Sequence, residues 1–237
     1  KIAMWSGPRS ISTALMRSFE NRPDTFVSDE PFYAHYLDKT GTDHPMRDEI
    51  IENGNTNWKA VVTEITGPIP CGKKVWYQKH MAQHNLAGYD LKWVEQLTNC
   101  ILIRHPRDVI LSYLQKFELT SISQLGYSQQ VDLYNMLSNN GIPPLVIDAK
   151  DILKNPEKIL TLLCGELNIH FYEEMLFWPE GSRQTDGIWG KHWYGNAEIS
   201  TGFHPYVKKH GNLSSKYKDI YTSCLENYEI LYKYCLK

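Results

Sequence analysis

Ile2-Ala3-Met4-Trp5-Ser6-Gly7-Pro8-Arg9-Ser10-Ile11-Ser12-Thr13 opens the chain with an apolar run, a tight turn and a helical pattern that sets Leu15, Met16 and Phe19 on one face. The same order returns at Cys100 to Ile103, a continuous apolar run of the kind buried on both sides of a parallel sheet. Arg104-His105-Pro106 and a helix through Phe117 follow it. A third copy runs from Leu145 to Ile147, after Pro143-Pro144, into a helix beginning near Asn155-Pro156, with proline in the first turn. Thr25 to Val27 and Val75 to Gln78 read as two further strands, and Asp90 to Leu97 as a helix. Strands alternating with helices predict an α/β fold with a doubly wound, mainly parallel sheet and helices on both faces.

Between these elements, residues 38–57 are polar and rich in turn formers, which predicts a lid or insertion. Residues 177–210 are rich in Gly, Trp, His and Tyr without a sustained period, which predicts a long ordered loop near the site. Residues 215–236 carry Tyr and Leu at helical spacing and should form a closing helix. The 237 residues suit one α/β domain spanning 1–237.

The 25 basic and 27 acidic residues give a formal charge of −2, so no global field favours nucleic acid or an anionic membrane, and any anion site must be local. Five cysteines without a CxxC pair argue against a disulfide framework or a zinc site. No apolar stretch reaches the ~18 residues of a membrane span and no leader pattern is visible, so the expected location is cytoplasmic.

Two segments could hold phosphate. Gly7 to Thr13 sits where a strand turns into a helix, and there free N–H groups and the helix dipole attract an anion. Arg9 adds a forked cation, and Ser10, Ser12 and Thr13 add hydroxyls. The second glycine and the lysine of a Walker A loop are missing, which weakens a kinase or ATPase reading. Arg104 stands at the carboxyl end of a buried strand, with Ser112 two turns into the next helix. Alone, these segments also fit a capped helix and a surface Arg104–Asp108 ion pair.

Together the segments resemble the sulfotransferases that use 3′-phosphoadenosine 5′-phosphosulfate (PAPS). Pro8-Arg9-Ser10-Ile11-Ser12-Thr13 is similar to that family's 5′-phosphosulfate loop, P-[KR]-S-G-[ST]-[ST], with Ile11 in place of glycine. A β-branched residue there requires either negative φ or strain. Arg104, Pro106, Asp108 and Ser112 match the 3′-phosphate segment R-x-P-x-D-x-x-x-S, and residues 146–156 resemble a third family stretch. The resemblance is to the bacterial and carbohydrate-type branch. It implies a P-loop-type fold, PAPS as donor with 3′,5′-ADP as product, no metal, and a small-molecule or carbohydrate acceptor.

For the base that takes the acceptor proton, the resemblance offers Glu30, in Ser28-Asp29-Glu30-Pro31-Phe32, and His80, in a K-x-H-like segment where Gln78 replaces the lysine. His80 and His84 are spaced four apart, but Met81 stands where a zinc helix needs Glu, so a metal site is rejected. Arg183 and Lys191, in a region loosely similar to a late nucleotide-binding loop of the family, are further candidates for the cofactor. The rival functions are an ATP-dependent phosphotransferase and a non-catalytic protein that binds 3′-phosphonucleotides.

Overall fold

The computed structural model describes residues 1–208 and 211–237, so the last two positions of the expected loop at 177–210 lie outside the described residues. Its centre is a five-stranded parallel sheet in the order β2-β3-β1-β4-β5: β1 is Ile2–Ser6, β2 Thr25–Asp29, β3 Val75–Met81, β4 Thr98–Ile103 and β5 Leu145–Asp148. This is the expected doubly wound α/β architecture of P-loop type, with β3 and β4 each running longer than their apolar runs imply. β1 lies at the centre, and the chain leaves β1 and β4 toward opposite edges. A crevice therefore opens where those two strands end.

Strand alternation divides the core. Ala3 and Trp5 face one side with Ile101, Ile103 and Val146, while Ile2 and Met4 face the other with Tyr77, Cys100, Leu102 and Ile147. The first side is covered by α4 (Trp58–Thr66), α5 (Pro106–Tyr113), α6 (Tyr127–Asn139) and α11 (Lys218–Tyr232). The second is covered by α1 (Ser12–Glu20), α7 (Ala149–Lys154) and α8 (Pro156–Glu166). Burial on both sides explains why these strands read as unbroken apolar runs rather than alternating ones.

One expectation is corrected, and two stretches gain detail. The helix expected over residues 90–97 is a single 3-10 stretch, Lys92–Gln96, because Asn99 Nδ2 donates to the carbonyls of Val94 and Leu97 at 2.8 and 3.0 Å and takes over the end of the segment. The polar stretch 38–57 overlaps two helices, α2 (Tyr33–Thr40) and α3 (Arg47–Asn53), closed over a small core of Tyr33, Ala34, Leu37 and Ile50. Within residues 177–208 lie α9 (Gly190–Trp193), α10 (Gly195–Glu198) and one antiparallel bridge between Phe177 and Gly202. Arg17 pins this loop to α1 through Asp186 at 2.6 Å.

Candidate active site

The segments that follow β1, β2, β3 and β4 at the carboxyl edge of the sheet converge on one cavity of about 1000 Å3. Pro8 to Ala14 enter it after β1, Glu30 after β2, Gln83 to Ala87 after β3 and Arg104 after β4. Residues 193–207 of the late loop supply a further wall, including Trp193, Tyr194 and Phe203.

The loop after β1 is held in an unusual conformation. Arg9 and Ile11 have φ of 60° and 59°, so Ile11 accepts the strained alternative open to a β-branched residue at the position where the related motif has glycine. Gly7 is needed for a different reason: a β-carbon there would strike the carbonyl oxygen of Leu125, in the 3-10 turn before α6. Ile11 caps α1 without any side-chain hydrogen bond, which leaves the first amides of the helix free for an anion.

Arg9 and Arg104 meet at this point. Arg104 Nη1 donates to the Arg9 carbonyl at 2.9 Å, and Arg9 Nε donates to Ser112 Oγ at 2.9 Å. Burial, then the neighbouring Arg104, pushes the Arg9 guanidinium below its ordinary value. Among the described residues neither arginine has a carboxylate partner. The Arg104–Asp108 surface pair is not formed: Asp108 is buried and accepts from Tyr206 Oη at 3.3 Å. Tyr127 Oη fixes the other side of the β4 tip by donating to the Arg104 carbonyl at 2.6 Å.

Beside the two cations lies a buried ionic network. Lys79 is the register partner of Asp29 across β2 and β3, and its Nζ donates to Asp29 Oδ1 at 2.9 Å, Glu30 Oε1 at 2.5 Å and Tyr194 Oη at 2.7 Å. Tyr194 in turn donates to Asp29, and the Gly187 amide donates to Asp29 Oδ2 at 3.1 Å. Burial alone would lower the Lys79 ammonium, but Asp29 and Glu30 overcome it and hold the group above its usual range. Burial raises Glu30, against the pull of Lys79. Glu30 lines the cavity, whereas the Asp29 side chain is only 1% exposed, so Glu30 is the carboxylate of the pair that a substrate can reach.

His80 is not brought to the site. It is the register partner of Trp5, so its ring points to the other side of the sheet from Lys79 and stacks on Trp5 with centroids 4.3 Å apart. Burial pushes its imidazole down to about 3, and its Nε2 is shared with Gln78 Oε1 at 3.2 Å. Arg183 and Lys191 are also absent from the cavity wall: Arg183 donates to the carbonyls of Gly181 and Ser182, and Lys191 is exposed. By contrast Pro8, Arg9, Ser10, Ile11, Ser12, Thr13, Glu30, Arg104 and Ser112 all line it.

Sequence reasoning missed Lys79, Asp29, Tyr194 and His84. Strand alternation was the available signal for Lys79, since a lysine inside a fully buried strand demands a carboxylate, and Asp29-Glu30 end the neighbouring strand. The described residues contain no cluster of His, Cys, Asp and Glu able to hold a metal, and no described helix is long and apolar enough to cross a membrane.

The site thus combines an anion-attracting loop, two arginines without a carboxylate partner among the described residues, and a reachable carboxylate at the end of a parallel sheet. A family model described as the sulfotransferase domain matches residues 1–233, and the chain belongs to that family. Two proteins of Arabidopsis thaliana, the branched-chain-amino-acid aminotransferase-like proteins 2 and 1, are each 37% identical over 232 and 230 residues; the match takes in 97% of this chain but only 41% of theirs. The fold is shared with the sulfotransferase domain of the Synechococcus PCC 7002 olefin synthase, at 15% identity and a TM-score of 0.56 over 100% of this chain and 95% of that one. It is also shared with a sulfotransferase from Alicyclobacillus acidocaldarius, at 11% identity and a TM-score of 0.55 over 99% and 96%.

Proposed function

We propose that the chain transfers a sulfuryl group from PAPS to a hydroxyl or amine of a small-molecule or carbohydrate acceptor. The observation that carries this reading is the Arg9–Arg104 pair at the tips of adjacent strands: the Arg104 guanidinium holds the Arg9 backbone carbonyl, the Arg9 guanidinium holds Ser112, and among the described residues neither has a carboxylate partner. Holding like charges together in a partly buried crevice is unfavourable unless an anion lies between or beside them. A nucleotide phosphorylated at both ends of its ribose supplies such anions, with Arg104 and Ser112 on the 3′-phosphate and Arg9, Ser10, Ser12, Thr13 and the α1 amides on the 5′-side.

In this reading PAPS brings the activated sulfuryl group and the residues of the chain do the rest. Glu30 takes the proton of the acceptor hydroxyl as its oxygen bonds to sulfur. Arg9 and the first amides of α1 take up the charge left on the 5′-phosphate as the sulfur–oxygen bond breaks. Lys79 anchors Glu30 and orients it. His80, stacked in the core, takes no part. The aminotransferase wording of the Arabidopsis names belongs to proteins of which this chain spans 41%. Lys79, the cavity-lining lysine, is held as an ammonium between two carboxylates rather than as a free amine.

The test is calorimetry. Saturable binding of 3′,5′-ADP, with ATP and Mg2+ binding at least tenfold more weakly, is the expected result. Preference for ATP with Mg2+ would favour a phosphotransferase. Tight 3′,5′-ADP binding without transfer to any acceptor in a broad panel would favour a non-catalytic binding protein.

A further inference from the structure

The half of the cavity beyond Glu30 differs in kind from the half beside the arginines. Tyr33 follows Glu30 by one turn, its N–H donating to the Glu30 carbonyl at 2.9 Å. From Tyr33 a run of rings continues along the wall. Tyr33 stacks on His84 at 5.0 Å and an interplanar angle of 7°, and His84 stacks on Tyr36 at 4.6 Å and 27°. The run continues through His44, whose Nδ1 lies 2.9 Å from Tyr33 Oη and which meets Trp193 edge-on at 5.6 Å; Trp193 packs against Phe117 at 4.6 Å.

Charge is missing from this half. Among the described residues, the Asp, Glu, Lys and Arg side chains that line the whole cavity are Arg9, Glu30, Lys79 and Arg104, all at the strand tips. Burial lowers both His44 and His84, so both rings are neutral near pH 7. Polar groups of this half include the amides and hydroxyls of Gln83, Asn85, Thr42 and Gln124. Lys79 is already taken by two carboxylates. In the reading above the two arginines are taken by the donor, which leaves no Lys or Arg among the described lining residues for an acceptor anion.

We propose that the acceptor is an uncharged hydroxylated compound built on a planar ring, which lies against the half-buried rings of Tyr36, Phe117 and Trp193 with its hydroxyl directed at Glu30. This rests on the sulfotransfer reading and narrows it, since it excludes acidic saccharides and other anionic acceptors. An acceptor carboxylate would enter an aromatic wall without a counter-charge and would face the anionic donor, both of which are costly. A flat neutral ring gains stacking on a surface already ordered.

The test uses two probes that share a ring and a hydroxyl and differ by one charge, 2-naphthol and 6-hydroxy-2-naphthoate. Each is titrated into the protein saturated with 3′,5′-ADP, after the nucleotide's own binding has been measured. 2-Naphthol is expected to bind saturably and at least about tenfold more tightly than the carboxylate. A ringless neutral alcohol, 1-heptanol, is expected to bind more weakly than 2-naphthol. Tyr36→Ala and Phe117→Ala are each expected to weaken 2-naphthol roughly three- to tenfold, with 3′,5′-ADP unchanged. Equal or tighter binding of the naphthoate overturns the proposal, as does a failure of 2-naphthol to bind. Failure of 3′,5′-ADP to bind in the first titration would instead overturn the donor assignment, a separate result.

Discussion

Arg104 Nη1 donates to the backbone carbonyl of Arg9 at 2.9 Å, so the cation that crowns β4 props the loop that crowns β1. The two anion subsites are therefore mechanically one. A change at Arg104 removes a charge and also a support of the loop, whereas a change at Ser112 removes only the hydroxyl that receives Arg9 Nε.

Calorimetry with 3′,5′-ADP should separate these roles. Arg104→Ala is expected to weaken binding by about 2–4 kcal/mol, and Ser112→Ala by about 1 kcal/mol. Equal losses at the two positions would refute the larger role given to Arg104.

Glycine and isoleucine exchange their customary duties in the first loop. Gly7 has no positive φ but lies against the Leu125 carbonyl, while Ile11 carries the positive φ. Gly7→Ala is expected to destabilise the fold by about 2–4 kcal/mol, since backbone must move to admit the methyl. Ile11→Gly relieves the left-handed strain but loses packing and adds chain entropy, so its effect should stay within about 1 kcal/mol. Urea denaturation of both variants measures the contrast.

The hydroxyl of Tyr194 tunes Glu30 directly, by donating to its Oε1 at 3.5 Å, and through Asp29 and Lys79. Removing it in Tyr194→Phe takes a donor from Asp29, which then draws Lys79 more strongly and loosens its hold on Glu30. The protonated form of Glu30 gains. In an infrared titration, the carboxyl band abolished by Glu30→Gln is expected to titrate above the usual glutamate range in the wild type and higher still in Tyr194→Phe. A downward move would refute the coupling. For sulfuryl transfer itself, Glu30→Gln should cost at least about 100-fold in kcat, with 3′,5′-ADP affinity little changed.

Asp148 gives a pH-dependent test of stability away from the proposed chemistry. Burial raises its carboxyl to about 6, although it accepts from Tyr228 Oη at 2.9 Å and from the Lys150 amide at 2.7 Å. The folded chain thus holds this proton more tightly than the unfolded chain. Its contribution is complete below about pH 4 and is lost as the pH rises through 6. Asp148→Asn keeps the oxygen that caps α7 and removes the titration. Relative to the wild type, this variant should gain up to about 3 kcal/mol between pH 4 and 7 in urea denaturation.

The frame of the fold was legible because buried parallel strands announce themselves. β1, β4 and β5 each combine an apolar run with a turn signal and a following helical face, and the arginine after β4 could be placed from that order alone. Direction was harder to read. His80 and Lys79 are neighbours in sequence, and a motif match cannot say which of them faces the crevice; the register with Trp5 and Asp29 decides it. Composition left the helices at residues 38–57 unread, because polar residues on the outside of α2 and α3 conceal the few apolar ones that close over Tyr33. The helices α4 and α6 went unread, the latter because Ser128, Gln129 and Gln130 dilute its first turn although Gln130 is buried and donates to the Leu102 carbonyl at 3.0 Å.

Two neighbouring guanidiniums without a carboxylate partner among the described residues also bear on how this molecule is handled at the bench. Any small oxyanion in the medium has somewhere to settle, so phosphate or sulfate buffers should raise the melting temperature above that found in a buffer of bulky zwitterions. Comparisons between preparations are meaningful only when the salt is held the same.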